Sequence, residues 1–379
     1  MPQDSENRAL SKNFVTATRQ WQSTLPRILP STALLLALSL AGCGGGSGAS
    51  GGSASGTTNI YLAGHTSNAS GTPIATYWKN GAATNLTDGT IFALADAIAV
   101  DSSGNVYVAG ETTTPQYTAV YWKNGAATNL SDGTAPAYAS AIAVDSSGNV
   151  YAAGDTYNAA THNYMATYWK NGTATNLTDG TSGANANAIV VDSTGNVYVA
   201  GDTYNAATGN SMATYWKNGT ATNLTDGTAS AGLTSISIDT SGNVYVAGDT
   251  AGASGFAIAT YWKNGAATTL TDGTGNVYAY AIAVDSGGNV YVAGDTFSAS
   301  GNAIATYWKN STATNLTDGT NYADANAIAV DGTGNVYVAG DTSNASSSAI
   351  ATYWKNGTAN TLTDGTEHSV IDGIALSSH

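Results

Sequence analysis

From about Asn59 onward the chain runs in short stretches that alternate small or branched apolar residues with polar ones, each stretch ending in a turn signal. Ala97-Ile98-Ala99-Val100 has the two-residue period of a half-buried strand. Asp101-Ser102-Ser103-Gly104-Asn105 then supplies an Asp able to bond its own backbone and a Gly for a left-handed position. Val106-Tyr107-Val108-Ala109-Gly110 reads as a second strand. After a segment of variable length, Ala119-Val120-Tyr121-Trp122-Lys123 reads as a third. Asn124-Gly125 is the strongest short hairpin signal. Ala126 to Leu130 makes a fourth strand, closed by Ser131-Asp132-Gly133-Thr134.

This unit repeats. Tyr-Trp-Lys-Asn begins at Tyr77, Tyr121, Tyr168, Tyr215, Tyr261, Tyr307 and Tyr353, at spacings of 44 to 47 residues. Four antiparallel strands per repeat at this period predict the blades of a β-propeller. The ends decide closure. The first copy starts at Asn59-Ile60-Tyr61-Leu62-Ala63-Gly64 without its Ala-Ile-Ala-Val strand, and Gly373-Ile374-Ala375-Leu376-Ser377 supplies that strand at the other end. The expectation is an all-β, seven-bladed propeller over residues 58–379, with the C-terminal strand completing the first blade and leaving no open edge.

The motif Ala-Ile-Ala-Val-Asp-Ser-x-Gly-Asn-Val-Tyr-Val-Ala-Gly-Asp-Thr stands at 97–112, 141–156, 281–296 and 327–342, with variants at 188–203 and 235–250. It resembles bacterial β-propeller repeats of the SBBP type and, more loosely, the NHL type. The Tyr-Trp-Lys-Asn half is not part of the NHL pattern. The resemblance implies fold and says little of function, because such folds host many activities.

The N-terminal 57 residues are of another kind. Ile28 to Leu40 is an apolar run too short to span a bilayer comfortably, with Arg8, Lys12, Arg19 and Arg27 before it. It ends in Leu40-Ala41-Gly42-Cys43, which resembles the lipobox of bacterial lipoproteins. The resemblance implies a signal peptide at 1–42, lipidation of Cys43, and an outer-membrane lipoprotein, periplasmic or surface-exposed. Cys43 is the only cysteine, so a disulfide framework is excluded. Residues 44–56, almost all Gly, Ser and Ala, read as a flexible tether.

Charge narrows the partners. Beyond residue 43 there are seven Lys, one in each Tyr-Trp-Lys-Asn, no Arg, and 23 Asp plus Glu, a net charge near −16. Such a surface repels phosphate backbones, so nucleic acid is not an expected partner.

Comparing the internal copies separates framework from variation. The link from second to third strand and the six residues after each Asp-Gly-Thr differ between copies, and in an antiparallel blade both emerge on one face. The Asp-Ser-x-Gly-Asn and Asn-Gly turns, on the other face, hardly vary. Loops on a rigid scaffold carry function, so the variable face is the candidate ligand-binding face. Its aromatics are Phe92, Tyr117, Tyr138, Tyr157, Tyr164, Tyr204, Phe256, Tyr278, Tyr280, Phe297 and Tyr322, which serve either recognition or the plugging of gaps between blades.

The Gly-Asp-Thr acid recurs as Asp155, Asp202, Asp249, Asp295 and Asp341, with Glu111 and His65 at the two odd positions. One reading is a ring that takes a cation, Ca²⁺ being the hard ion that carboxylates suit. The other is that each Asp bonds backbone in its own loop. Second strands lie off the axis, so seven carboxylates cannot converge on one ion, and the local reading is preferred, with no cofactor expected. His65 and His368 both depart from the repeat in the composite first blade. With Asp96 or Asp372 they have the makings of an acid–base pair. Nothing matches a serine-nucleophile elbow, a His-Glu-x-x-His pair or a phosphate loop. The leading expectation is a monomeric, non-enzymatic binder of protein or glycan at the cell envelope. The alternatives are a polysaccharide lyase or hydrolase at the channel mouth and a purely structural surface protein.

Overall fold

The computed structural model describes residues 58–113, 116–344 and 348–378. The signal-peptide, Cys43 and tether expectations lie outside the described residues. All elements among the described residues are strands, and they form seven four-stranded antiparallel sheets. The second blade follows the chain: β4 (Ala93–Val100), β5 (Val106–Thr113), β6 (Tyr117–Lys123) and β7 (Ala126–Asn129) pair in that order. Five further blades repeat this order. In the first, β28 (Ser369–Ser378) pairs with β1 (Thr58–Ser67), which pairs with β2 (Pro73–Lys79) and then β3 (Ala82–Asn85). The Thr58↔Ser378 register places the two chain ends side by side. The ring is therefore a seven-bladed propeller closed by its C-terminal strand.

Each first strand is nearly all small residues and lies innermost and buried, and each fourth strand is outermost and exposed along its length. An outer edge of only four residues is a short template for unwanted pairing. The Trp of each third strand fills the space between blades; all seven are 1–2% exposed. At the face of the conserved turns, Asp101 Oδ1 accepts from the N–H groups of Ser103 and Asn105 at 2.9 Å, and its Oδ2 accepts from Asn105 Nδ2 at 2.7 Å and Tyr107 Oη at 3.0 Å. Asn124 and Gly125 take φ of +49° and +86°, as a two-residue hairpin of this kind requires. Asn124 also clamps the neighbouring turn, accepting from Val106 N at 2.9 Å and donating to Asn105 Oδ1 at 2.9 Å. Lys123 Nζ stands 5.0 Å above the Tyr107 ring, and every blade repeats the pair at 4.9 to 5.2 Å. All the lysines of the ring are thus committed to the turn face.

Strands extend further than the sequence pattern predicts, in the direction of the variable face. β4 begins at Ala93 rather than Ala97, and β5 runs on to Thr113. A β-bulge makes this extension unreadable from the two-residue period. Ala95 pairs with Gly110 and Ala97 with Ala109, leaving Asp96 as the extra residue. The same break occurs in all seven blades. It also explains the Gly of Gly-Asp-Thr: a Cβ on Gly110 would collide with the carbonyl oxygen of Leu94, which the bulge pushes across the ladder.

Candidate functional site

Beyond the bulge, the ends of the first and second strands build the mouth of the ring. The bulge residues are Asp372, Asp96, Ser140, Asn187, Thr234, Tyr280 and Asn326, one per blade and all with polar groups. Three reach into the next blade. Asn187 Nδ2 donates to Leu233 O at 2.8 Å, Thr234 Oγ1 to Ala279 O at 2.7 Å and Asn326 Nδ2 to Ile371 O at 3.0 Å. Sequence reasoning missed this ring. The signal was a polar residue before each Ala-Ile or its equivalent, opposite a Gly inside a strand.

The Gly-Asp-Thr acids lie just outside it, and here the expectation of local loop bonding is corrected. Asp155 on β9 (Val150–Asn158) accepts from Ala186 N at 2.9 Å, Asp249 on β17 (Val244–Ala251) from Ala279 N at 2.9 Å, and Asp295 on β21 (Val290–Phe297) from Ala325 N at 3.1 Å. Each donor belongs to the next blade, so these carboxyls staple blade to blade. The bulge is the cause, because it turns a backbone N–H of the inner strand toward the neighbour. Asp202 on β13 (Val197–Asn205) accepts instead from Asn185 Nδ2 in its own blade at 3.1 Å. Burial pushes Asp155 and Asp249 up to about 8 and Asp202 up to about 6, against the pull of these hydrogen bonds.

The acids are not equivalent around the ring. Between blades six and seven, donors run short. Asp295 Oδ2, both carboxyl oxygens of Asp324 on β24 (Ala323–Val330) and Asp341 Oδ1 on β25 (Val336–Ser343) are buried with no donor at full hydrogen-bond distance; Asp324 interacts instead with Asp295 and the Tyr322 hydroxyl, and Asp295 with the Tyr280 hydroxyl. Asp96 and Glu111 are also buried, at 6% and 5% exposed, with burial first and neighbouring acids next raising Asp96. Burial likewise raises Glu111. Asp372 Oδ2 stands 3.7 Å from His65 Nδ1, and the rings of His65 and His368 are 6.0 Å apart. His368, just before β28, is lowered first by partial desolvation of its ring, whose edge stays open to solvent, and then by His65. Among the described residues no three His, Cys, Asp or Glu side chains are placed to hold a metal ion.

The aromatics expected in the links stand mostly on strand ends, because the strands are longer. Tyr117, Tyr138, Tyr157, Tyr204, Tyr278, Tyr280 and Phe297 are strand residues; Phe92 and Tyr322 precede β4 and β24. They gather in two groups. Phe92, Tyr117, Tyr138, Tyr164 and Tyr157 form a chain of ring contacts across blades two and three, with successive centroids 5.2 to 5.9 Å apart. Tyr157 Oη continues it to His162 Nδ1 at 2.9 Å. On blade six, Tyr278 stacks on Tyr280 at 6.1 Å and meets Phe297 edge-on at 5.9 Å. Tyr204 and Phe256 stand apart and are the large apolar side chains most open to solvent, each 39% exposed. An open hollow of about 760 Å³ lies between blades five and six, with Asn276, Val277 and Phe297 among its walls.

Comparison with known proteins meets this geometry at its bulge. A family described as a beta-propeller repeat, SBBP, matches residues 96–115. The matched stretch runs from the bulge residue Asp96 through the Asp turn and the Gly110-Glu111 mouth. The matched repeat and the seven-bladed ring agree on a repeat propeller. No curated protein sequence matches it. Among solved structures, a puromycin-hydrolysing peptidase of Mycobacterium tuberculosis matches with a TM-score of 0.56 at 11% identity, over 80% of this chain and 51% of that one. The chain therefore spans about half the length of that peptidase. A protein of unknown function from Dyadobacter fermentans gives a TM-score of 0.48 at 10% identity, over 76% of this chain and 95% of that one. A fucose lectin from Kordia zhangzhouensis, in complex with methyl-fucoside, gives 0.27 at 15%, over 34% and 94%. At these identities the peptidase likeness concerns the fold alone.

Proposed function

We propose that this chain is a monomeric, lipid-anchored propeller of the cell envelope that binds a protein or glycan through its variable mouth and catalyses nothing there. One observation carries the reading: the departures from the repeat gather at one end of the ring. The turn face repeats the same hydrogen bonds blade after blade. The mouth carries the linked aromatic rings of blades two and three and buried acids clustered against one another. Rigid aromatic surface at low entropy cost suits recognition of sugars and protein side chains. The anchor would be Cys43 after removal of residues 1–42, in the outer membrane. A Cys43→Ser variant that stays in the membrane fraction would overturn that part.

The binding test is isothermal titration of the purified full chain with envelope glycans and candidate proteins, in wild type and in Tyr138→Ala. The variant is expected to lose binding about tenfold or more with its fold intact, as an aromatic anchor in an interface does. Unchanged affinity refutes the aromatic mouth as the binding surface. A second reading has one observation of its own: Asp96 and Glu111, both raised, stand in one electrostatic cluster with Asp372 and His65. A raised carboxyl is the equipment of a general acid. Turnover of an envelope polysaccharide that Glu111→Gln abolishes would establish that reading instead.

A further inference from the structure

The links that enter the blades differ in which neighbour holds them. In six blades the residue after Gly-Asp-Thr, or its equivalent, donates its N–H to the last carbonyl of the link entering its own blade. Thr113 N does so to Phe92 O at 3.1 Å and Ala251 N to Ser230 O at 2.8 Å. Blade six breaks the rule. Phe297 is the counterpart there, and its link partner would be the carbonyl of Asn276. Instead, Val277 N donates to Ala257 O at 3.0 Å, and Ala257 N donates to Asn276 Oδ1 at 2.8 Å. Ala257 opens β18 (Ala257–Lys263), the third strand of blade five. The link is thus drawn off its own blade onto the preceding one, and the end of β21 at Phe297 is left uncovered. The equivalent hollow between blades four and five, where Ala251 holds Ser230, measures about 410 Å³, against about 760 Å³ between blades five and six.

The walls of the larger hollow combine three kinds of group. Phe297, half-buried, supplies an aromatic surface, and its edge-on contact with Tyr278 at 5.9 Å steadies the ring. Asp272, in the turn that leaves blade five, is exposed. Its Oδ1 accepts from Thr274 Oγ1 at 2.8 Å and Thr274 N at 3.1 Å, which holds the carboxyl below its usual range and leaves Oδ2 to accept. Asn276 is fixed through its Oδ1, so its amide nitrogen is the end left to donate. Among the described residues no cation joins them. The lysines stand over framework tyrosines at the turn face, and every Arg precedes residue 43. The hollow falls within the roughly 300–1,000 Å³ of small-ligand sites, which pair apolar walls with a few placed polar groups.

We infer that this hollow between blades five and six is a subsite for one uncharged sugar residue of a glycan, its C–H face against Phe297, its hydroxyls donating to Asp272 and an oxygen accepting from Asn276. A pyranose has the matching form: an apolar face, and a rim of hydroxyls that both donate and accept. An ionised carboxylate with no basic residue beside it selects against uronates and phosphorylated sugars, because like charges would be brought together. A lysine or arginine side chain would satisfy Asp272 but offers no acceptor to Asn276. The inference rests on the recognition reading above and narrows it to a neutral glycan, held at a place apart from the ring contacts of blades two and three.

The test is calorimetric titration of the full chain in a mild detergent with the methyl glycosides of glucose, galactose and mannose, with N-acetylglucosamine and with glucuronate. Wild type is compared with Asp272→Asn, Phe297→Ala and Gly275→Trp. Gly275 lines the hollow, and a Cβ there would meet nothing within 4 Å, so Trp fills the space and removes none of the binding groups. At least one neutral sugar is expected to bind, and glucuronate about tenfold or more weaker. Gly275→Trp is expected to abolish binding, and Asp272→Asn and Phe297→Ala to weaken it about tenfold or more, with melting temperatures close to wild type in Gly275→Trp and Asp272→Asn. No neutral sugar bound by wild type overturns the proposal, as does glucuronate bound as tightly as the neutral sugars, or affinity unchanged in all three variants. Glycan binding lost in Tyr138→Ala and kept in Gly275→Trp overturns this subsite while leaving the recognition reading in place. Binding lost in Gly275→Trp and kept in Tyr138→Ala supports the subsite and refutes the aromatic mouth of blades two and three.

Discussion

Asp249→Asn isolates the energetic consequence of placing acids between blades. Asp249 accepts one hydrogen bond, from Ala279 N at 2.9 Å, and burial pushes it up to about 8 from an ordinary value of 3.8. A carboxyl whose folded value is raised takes up a proton on folding. Its contribution to stability is fully present below the unfolded value and is lost as pH rises through about 8. A full proton corresponds to about 1.4 kcal/mol per pH unit in that window. Asp249 keeps a minor solvent exposure, so screening reduces the slope to about 1 kcal/mol per unit, or roughly 2 kcal/mol between pH 5 and pH 7. Asn keeps an oxygen for Ala279 N and cannot ionise. The advantage of the variant over wild type should therefore grow by roughly 2 kcal/mol from pH 5 to pH 7. Urea unfolding followed by Trp fluorescence at pH 5, 6, 7 and 8 measures this difference. A stability difference that stays flat with pH would refute the raised carboxyl, and a variant weaker at every pH would mean that the charged acceptor itself matters.

Two further outcomes follow from the repeats treated as internal controls. Tyr245 Oη donates to Asp239 Oδ2 at 3.0 Å, whereas Tyr61 Oη, in the blade that lacks the Asp turn, is buried without a partner. Tyr245→Phe should lower stability by about 1 kcal/mol and Tyr61→Phe should leave it equal or higher, measured as paired urea midpoints; the reverse order would sink the comparison. Ser311 occupies, at φ +67°, the hairpin position that is Gly in the other six blades. Ser311→Gly should stabilise by about 1 kcal/mol and raise the melting temperature by a few degrees, and an unchanged midpoint would mean the loop relaxes the strain elsewhere.

The seven blades, their antiparallel order and the closing strand were legible because the Tyr-Trp-Lys-Asn period and the Asn-Gly hairpins encode them locally. The mouth was less so. Asp96 and its counterparts sit in a bulge, which adds one residue and so breaks the alternation that marks a strand. Residues such as Leu94 and Tyr138 therefore looked like link. Asp249 bonding Ala279 depends on which backbone N–H the neighbouring blade turns outward, a long-range fact that no local pattern carries. The asymmetry of the acids was half visible. Glu111, His65 and His368 stood out as departures, but Asp324 lay inside a segment read as variable link, and nothing in the sequence tells that its carboxyl meets Asp295 of the preceding blade.

Ring closure has a consequence for how the molecule is presented. Thr58 enters beside Ser378 at the end of the composite blade where the other six blades have their Asp turn. Thr58 thus lies at the turn face, opposite the mouth. A support holding the N-terminal segment would display the mouth outward, like a cup set down on its base. Tension along that segment would load the β1–β28 pairing end-on. The clasp that completes the circle would then also be the mechanical fuse of the assembly.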